Sequence, residues 1–397
     1  MKYSFLSLGF LAVATLVSPV VHAETMPHSA WTAKLNVPIY NPLQALNGHV
    51  YLTSMQASGP NVFAMDGKNG KLIWSFATKG AIEIPPTIGD AQLFIASDVG
   101  DTHFMRALNA ATGAVIWQYT RDQPPQCMCS YQSTLVDGVL FAQTDGHSLF
   151  AFQPQGDAPS RRLWSYEGNG ALLTNPVTAD GVVVIGSADR HVYGLDAKTG
   201  KILWQQTTGY AFTADPAIVD DIVVIGDQGG NMDGFALKTG KQLWAASASG
   251  AIDNAAIIKD HSAFLVSEDH NLYALDVTTG KVRWQYTMED FAAFAPVATG
   301  NAVIVDNRSG QLIALDANTG KNLWQADLGG TAFSSPVLWE ARNAVVLKVG
   351  DHEISAFDLR SGKNLWRYKT KAVVTLPIID GKNVDLATSQ GVVLALH

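Results

Sequence analysis

Two cysteines and five recurring histidines are the residues of this chain with the most chemistry to offer. Cys127 and Cys129 flank Met128, just after Pro124 and Pro125. Two thiolates beside a thioether suit a soft ion such as copper(I). Oxidised, the same pair would form a disulfide, but partners two residues apart force a bent backbone and leave the bond strained and easily reduced. Inert buried thiols are the third reading, and all three stay open. A second group is oxygen-rich: Asn175, Asp215 and Asn254, with Asp253 beside the last. Such groups could hold a hard cation or a polar cofactor, or simply line a hydrated passage. No Ser-His-Asp spacing, His-Glu-x-x-His, phosphate-binding loop or dinucleotide glycine fingerprint is present.

What must position these residues is written in the tryptophans. Trp31, Trp74, Trp117, Trp164, Trp204, Trp244, Trp284, Trp324 and Trp366 are separated by 43, 43, 47, 40, 40, 40, 40 and 42 residues, and only Trp339 stands outside the series. Spacing in this range signals stacked supersecondary units. Each tryptophan closes one phrase, as in Leu195-Asp196-Ala197-Lys198-Thr199-Gly200-Lys201-Ile202-Leu203-Trp204. Asp-x-x-Thr-Gly is hairpin chemistry: the carboxylate can take nearby amides, and glycine accepts positive φ. Two further β-branched segments precede it, so each unit holds four short strands. No helical periodicity is sustained outside the leader.

The fold class that follows is all-β, a single β-propeller of four-stranded antiparallel blades. First strands begin near Pro42, Pro86, Ser133, Pro176, Pro216, Ala255, Pro296, Pro336 and Pro377, which counts nine blades, with eight the alternative. Val392–Leu396 is a third strand lacking a fourth, and Ser29–Ala33 is a fourth lacking the others. Pairing them closes the ring and removes two exposed edges. The tryptophans then pack between blades.

The phrase Ala-x-Asp-x-x-Thr-Gly-x-x-x-Trp resembles the tryptophan-docking motif of the pyrroloquinoline quinone (PQQ) repeat propellers, across nearly all of residues 24–397. Gln153 and Ala236 replace its Asp, and Asn109 softens it. That family holds quinoprotein alcohol dehydrogenases and non-catalytic BamB-like periplasmic scaffolds, so the resemblance implies a fold before it implies a chemistry. The dehydrogenases carry a ring of two adjacent cysteines over the cofactor. Here Met128 intervenes, and no matched set of cofactor, calcium and base residues can be placed. The resemblance therefore implies a binding or scaffold protein with a periplasmic or outer-membrane protein partner. The alternatives are a quinoprotein oxidoreductase using PQQ with calcium, or a copper- or redox-linked accessory protein using the Cys-Met-Cys loop.

Residues 1–23 read as a secretory signal: Lys2, an apolar stretch from Phe5 to Val17, and Val21-His22-Ala23 as cleavage site. Cleavage leaves a net charge of −9, Lys2 being lost from the formal −8. No cysteine marks a lipid anchor, and no later run is long enough to span a bilayer. The expectation is a soluble periplasmic or secreted protein. Its acidic balance excludes ordinary nucleic-acid and anionic-membrane binding.

The cysteines also sit in the longest link, 16 residues from Trp117 to Ser133 where the others have 11 or 12. In an antiparallel blade those links share a face with the second-to-third turns, where His103, His147, His191, His270 and His352 fall. A ring of histidines suggests metal, yet histidine is also tolerated where turns need positive φ, and the blades hold most of them apart. His147 and His103 remain as partners for the cysteine loop.

Overall fold

The Asp-x-x-Thr-Gly phrase folds as its side chains dictate. Asp196 Oδ1 accepts the amides of Lys198 at 3.1 Å and Thr199 at 2.8 Å, and the Thr199 hydroxyl at 2.8 Å. Gly200 follows at φ +70°. The same bonds recur at Asp316 and, with serine for threonine, at Asp358. Hydroxyl donation holds all three carboxyls below the ordinary range. Each phrase thereby fixes one hairpin without help from the rest of the molecule.

The computed structural model describes residues 27–89, 91–100, 102–122, 133–143, 146–154 and 162–397. It contains nine four-stranded antiparallel sheets, ordered around a ring. Blade 1 holds Gln44–Leu46, His49–Thr53, Val62–Asp66 and Leu72–Phe76. Blade 5, the most regular, holds Ala217–Val219, Ile222–Gly226, Asn231–Ala236 and Gln242–Ser247. Blade 9 is built from both ends of the chain: Ser29–Lys34 pairs with Val392–Leu396, which continues to Asn383–Ala387 and Ile378–Asp380. Within it Trp31 lies opposite Ala395 and Lys34 opposite Val392. Backbone bonds between His28 and His397, at 3.2 and 2.9 Å, extend the closure. The only helical turn among the described residues is Glu340–Arg342.

Neighbouring first strands pack around the axis, and the tryptophans do the packing farther out. Trp204 is 6% exposed and stands opposite Gly194 in its own blade. Its indole N–H donates to the Leu237 carbonyl of the next blade at 2.7 Å. Its ring also covers Gly240 there, where a Cβ would come within 2.6 Å of it. Trp31, Trp74, Trp164, Trp244, Trp284 and Trp324 repeat the bond, to Gly67, Ala110, Ala197, Val277, Ala317 and Leu359. Trp366 instead meets Trp339 edge-to-face at 6.3 Å. That gives the tryptophan outside the series its place: it is 2% exposed and donates to Gly381 of blade 9 at 3.3 Å.

A second interlock lies nearer the axis. Gly186 and Gly226 end the second strands of blades 4 and 5, and Phe212 and Ile252 from the next blades fill the space a side chain would take. At the same register blade 6 reverses the sizes, with Val266 and Ala292 in one cluster. Large against small preserves the close-packed interior that folding requires.

Candidate functional site

The links from fourth to first strands do share a face with the second-to-third turns, as bridges between Leu172 and Ser187 and between Val374 and Thr388 show. On this face the polar groups are largely used to join blades. Asp215 accepts the Asn175 amide at 2.7 Å and its side-chain nitrogen at 2.6 Å. Burial raises the Asp215 pKa, and the two Asn175 bonds pull it back. Asp253 accepts the Thr213 hydroxyl at 2.6 Å, and Asn254 donates to the Ala293 carbonyl at 3.4 Å. Each bond spans one repeat.

The four candidates do not all occupy equivalent positions of their blades. The strand registers show why. In blades 4 and 5 Pro176 and Pro216 stand three residues before Ala179 and Val219, which pair with Val182 and Ile222. In blade 6 the pair is Lys259 with Ser262, so the equivalent position is Ala256, not Ala255. Asn254 then matches Ala214 rather than Asp215. The same slip makes Leu43, not Pro42, the marker in blade 1, where Leu46 pairs with His49.

Two cavities open among these groups. The larger, about 600 Å³, is lined by Gln44, Ile84, Thr87, Ser133, Leu135 and Asn175. Among the described residues its lining carries no charged side chain. The smaller, about 240 Å³, lies between blades 6 and 7 and is lined by Asp253, Asn254, Glu268, Phe291, Ala292 and Arg308. The Arg308 guanidinium lies 5.0 Å over the Phe291 ring.

The histidines are dispersed. His103 is buried, with Nδ1 2.5 Å from Asp98 Oδ1. His191 stacks on Tyr193, His270 faces Phe291, and His352 Nδ1 lies 2.9 Å from the Ala372 carbonyl. His270 has φ +71°, as a turn residue tolerating the left-handed region. Among the described residues no three His, Cys, Asp or Glu side chains gather as a metal site. Cys127 and Cys129 lie outside the described residues, as does the proposed signal segment, and His147 is placed without them.

A sequence profile for the outer membrane protein assembly factor BamB matches residues 28–159, 156–274 and 268–397. The chain belongs to that family. Among curated proteins it is 25% identical over 171 residues to the outer membrane protein assembly factor BamB of Yersinia pestis, covering 41% of this chain and 42% of that protein. It is 26% identical over 208 residues to the tetrathionate hydrolase of Acidithiobacillus ferrooxidans, covering 47% of this chain and 39% of that one. The chain thus spans less than half the length of either relative. Among solved structures, BamB from Moraxella catarrhalis superposes with a TM-score of 0.59 at 18% identity, covering 94% of this chain and all of that one. That likeness concerns the fold. No helix among the described residues is long and apolar enough to cross a membrane.

Within this BamB-family ring, sequence reasoning missed Arg308, Glu268 and the buried Asp306. Asp306 is 1% exposed, and burial raises its pKa to about 8, against a bond from its own amide. In blades 4 and 8 the matching amides are taken by the hydroxyls of Thr174 and Ser334. Blade 7 has Phe294 there, so Asp306 covers its own amide. The signal was available in an alignment of the blades to each other, where Asp306 replaces glycine.

Proposed function

We propose that this protein is a non-catalytic periplasmic scaffold that holds an outer-membrane or periplasmic protein, in the manner its BamB relatives' name implies. The carrying observation is the family match over residues 28–159, 156–274 and 268–397. The link face supports the reading. Its polar groups are occupied between blades, while Tyr40, Leu173, Tyr210, Phe333 and Leu376 stand exposed on it. Scattered exposed apolar groups mean little singly, but several on one face mark a binding surface. Photo-crosslinking residues placed at Tyr210 and Leu173 in cells should yield an adduct with a discrete outer-membrane protein. The exposed Lys198, in a turn on the opposite face, should yield none. No adduct at either link position, or equal adducts at all three, would count against the reading.

The enzymatic alternative has its own test. The relation to a tetrathionate hydrolase and the repeat family's quinoprotein members motivate it. Purified protein given PQQ with calcium is expected to show no dye-linked alcohol oxidation, and given tetrathionate no hydrolysis. Either turnover, lost on changing Asp215 or Asp253, would make the link face an active site. Copper(I) uptake that survives loss of both Cys127 and Cys129 would remove the accessory reading.

A further inference from the structure

One row of side chains runs across blade 9 from the axis to the rim: Ile378, Asp385, Ala395 and Trp31, each the register partner of the next. Ile378, Ala395 and Trp31 belong to the apolar cluster shared with blade 1, so this row faces the junction where the ring closes. The position of Asp385 is held by Tyr51, Phe94, Phe141, Val184, Val224, Phe264, Ile304 and Val346 in the other eight blades, each opposite the small residue that faces the tryptophan. Eight apolar or aromatic side chains and one carboxylic acid occupy the same place.

Asp385 is fully buried, and neither of its oxygens has a hydrogen-bond partner among the described residues. The apolar cluster of that junction takes Leu43, Val50, Leu52, Phe63 and Met65 from blade 1. Asp380 of the same blade is the charge that reaches Asp385. Asp380 Oδ2 in turn lies against the blade 1 turn, 3.0 Å from where a Cβ on Gly67 would be. His49 bonds Tyr51 on the blade 2 side, opposite Asp66 in register. Lys68 and Lys71 of blade 1, and Lys34 and Lys382 of blade 9, are exposed. Among the described residues no cation therefore offsets the acid inside the junction.

We propose that the junction between blades 9 and 1 is a pH-responsive latch, closed while the Asp385 carboxyl is neutral and loosened when it ionises. An unpaired carboxylate in an apolar interface is far costlier than the neutral acid. Burial first, and the Asp380 charge second, raise the Asp385 pKa to about 7. The sign follows from linkage. A carboxyl raised in the closed state above its solvated value near 4 favours closure fully below about pH 4, and that favour is lost as pH rises to about 7. The opening equilibrium should grow about tenfold per pH unit over that window and level off above it.

Hydrogen exchange of the full chain tests this, with opening equilibria corrected for the intrinsic rise of exchange with pH. Peptides covering Ser29–Lys34 and Val392–Leu396 should open roughly fiftyfold more at pH 7 than at pH 5, while Ser262–Val266 in blade 6, whose shifted carboxyls Asp269 and Asp276 are both lowered, stays level. Asp385→Val, which restores the residue type of blades 4, 5 and 8, should abolish the dependence. Asp385→Asn should do the same should the valine fail to fold. Asp380→Asn should shift the plateau to lower pH, because a like charge has been removed. A junction whose opening does not change with pH in the native protein would overturn the proposal. So would a slope that persists in either Asp385 variant, or a rise spread evenly over all blades.

Discussion

Replacing Trp204 with alanine is expected to cost roughly 3–5 kcal/mol, the range for truncating a large buried aromatic. The ring is 6% exposed and lies between Gly194 of its own blade and Gly240 of the next. Its loss also strips the Leu237 carbonyl of the indole donor it holds at 2.7 Å. A buried acceptor left unsatisfied adds on the order of 1–3 kcal/mol unless water reaches it. Leu203, next in sequence, is the control: it is 49% exposed, and Leu203→Ala should stay within about 0.5 kcal/mol. Denaturant titration of both variants decides the matter. A Trp204→Ala cost below about 1 kcal/mol would mean that the tryptophan is not what joins the blades. Gly240→Ala approaches the same contact from the other side, at φ +65° and 2.6 Å from the ring, and should lower the midpoint as well.

That contact was legible in the sequence because both of its halves are local. The Asp and Thr of each phrase close their own hairpin, so Asp196 or Asp316 can be read without knowing any neighbour. The tryptophan then recurs at a fixed distance from the turn, and the count of nine follows. Trp339 was not legible, since its role depends on Trp366 and on Gly381, 42 residues away. The register of blade 6 failed for a related reason. Ala256 replaces the proline that marks the first strand elsewhere, and only the pairing of Lys259 with Ser262 restores the alignment.

The candidate site was less legible than the fold. Asn175 and Asp215 stood out as oxygen groups that could hold a cation or line a hydrated passage, and the structure has them bond each other across 40 residues. Residue type alone cannot separate a group offered to a ligand from one spent on a neighbouring blade. Burial adds a second obscurity. Asp306 reads in sequence as a charged strand end, while its surroundings raise its pKa to about 8. Aligning the blades with one another, rather than reading each along the chain, is what makes such departures visible.

Removing residues 29–35 should lower stability and open the ring. Ser29–Lys34 is the outer strand of blade 9 and covers the outer edge of Val392–Leu396. Its loss takes away Trp31, which donates to Gly67 of blade 1 at 2.7 Å, together with the bond from the Leu35 amide to Gly391 at 2.7 Å. What remains is an exposed strand of Val392, Val393, Leu394, Ala395 and Leu396, with unpaired backbone groups along its length. An uncovered apolar edge of this kind is a template for pairing with other chains. The shortened protein should melt at a lower temperature and associate, by light scattering, at concentrations where the full chain is monodisperse. Adding the missing segment as a synthetic peptide should reverse part of both effects, because the strand binds the folded ring and not the unfolded chain. A deletion variant with unchanged melting and no association would mean that the ring is not held closed by this strand. Rescue by a peptide carrying Trp31→Ala as complete as by the native peptide would place the closure in the backbone ladder rather than in the tryptophan.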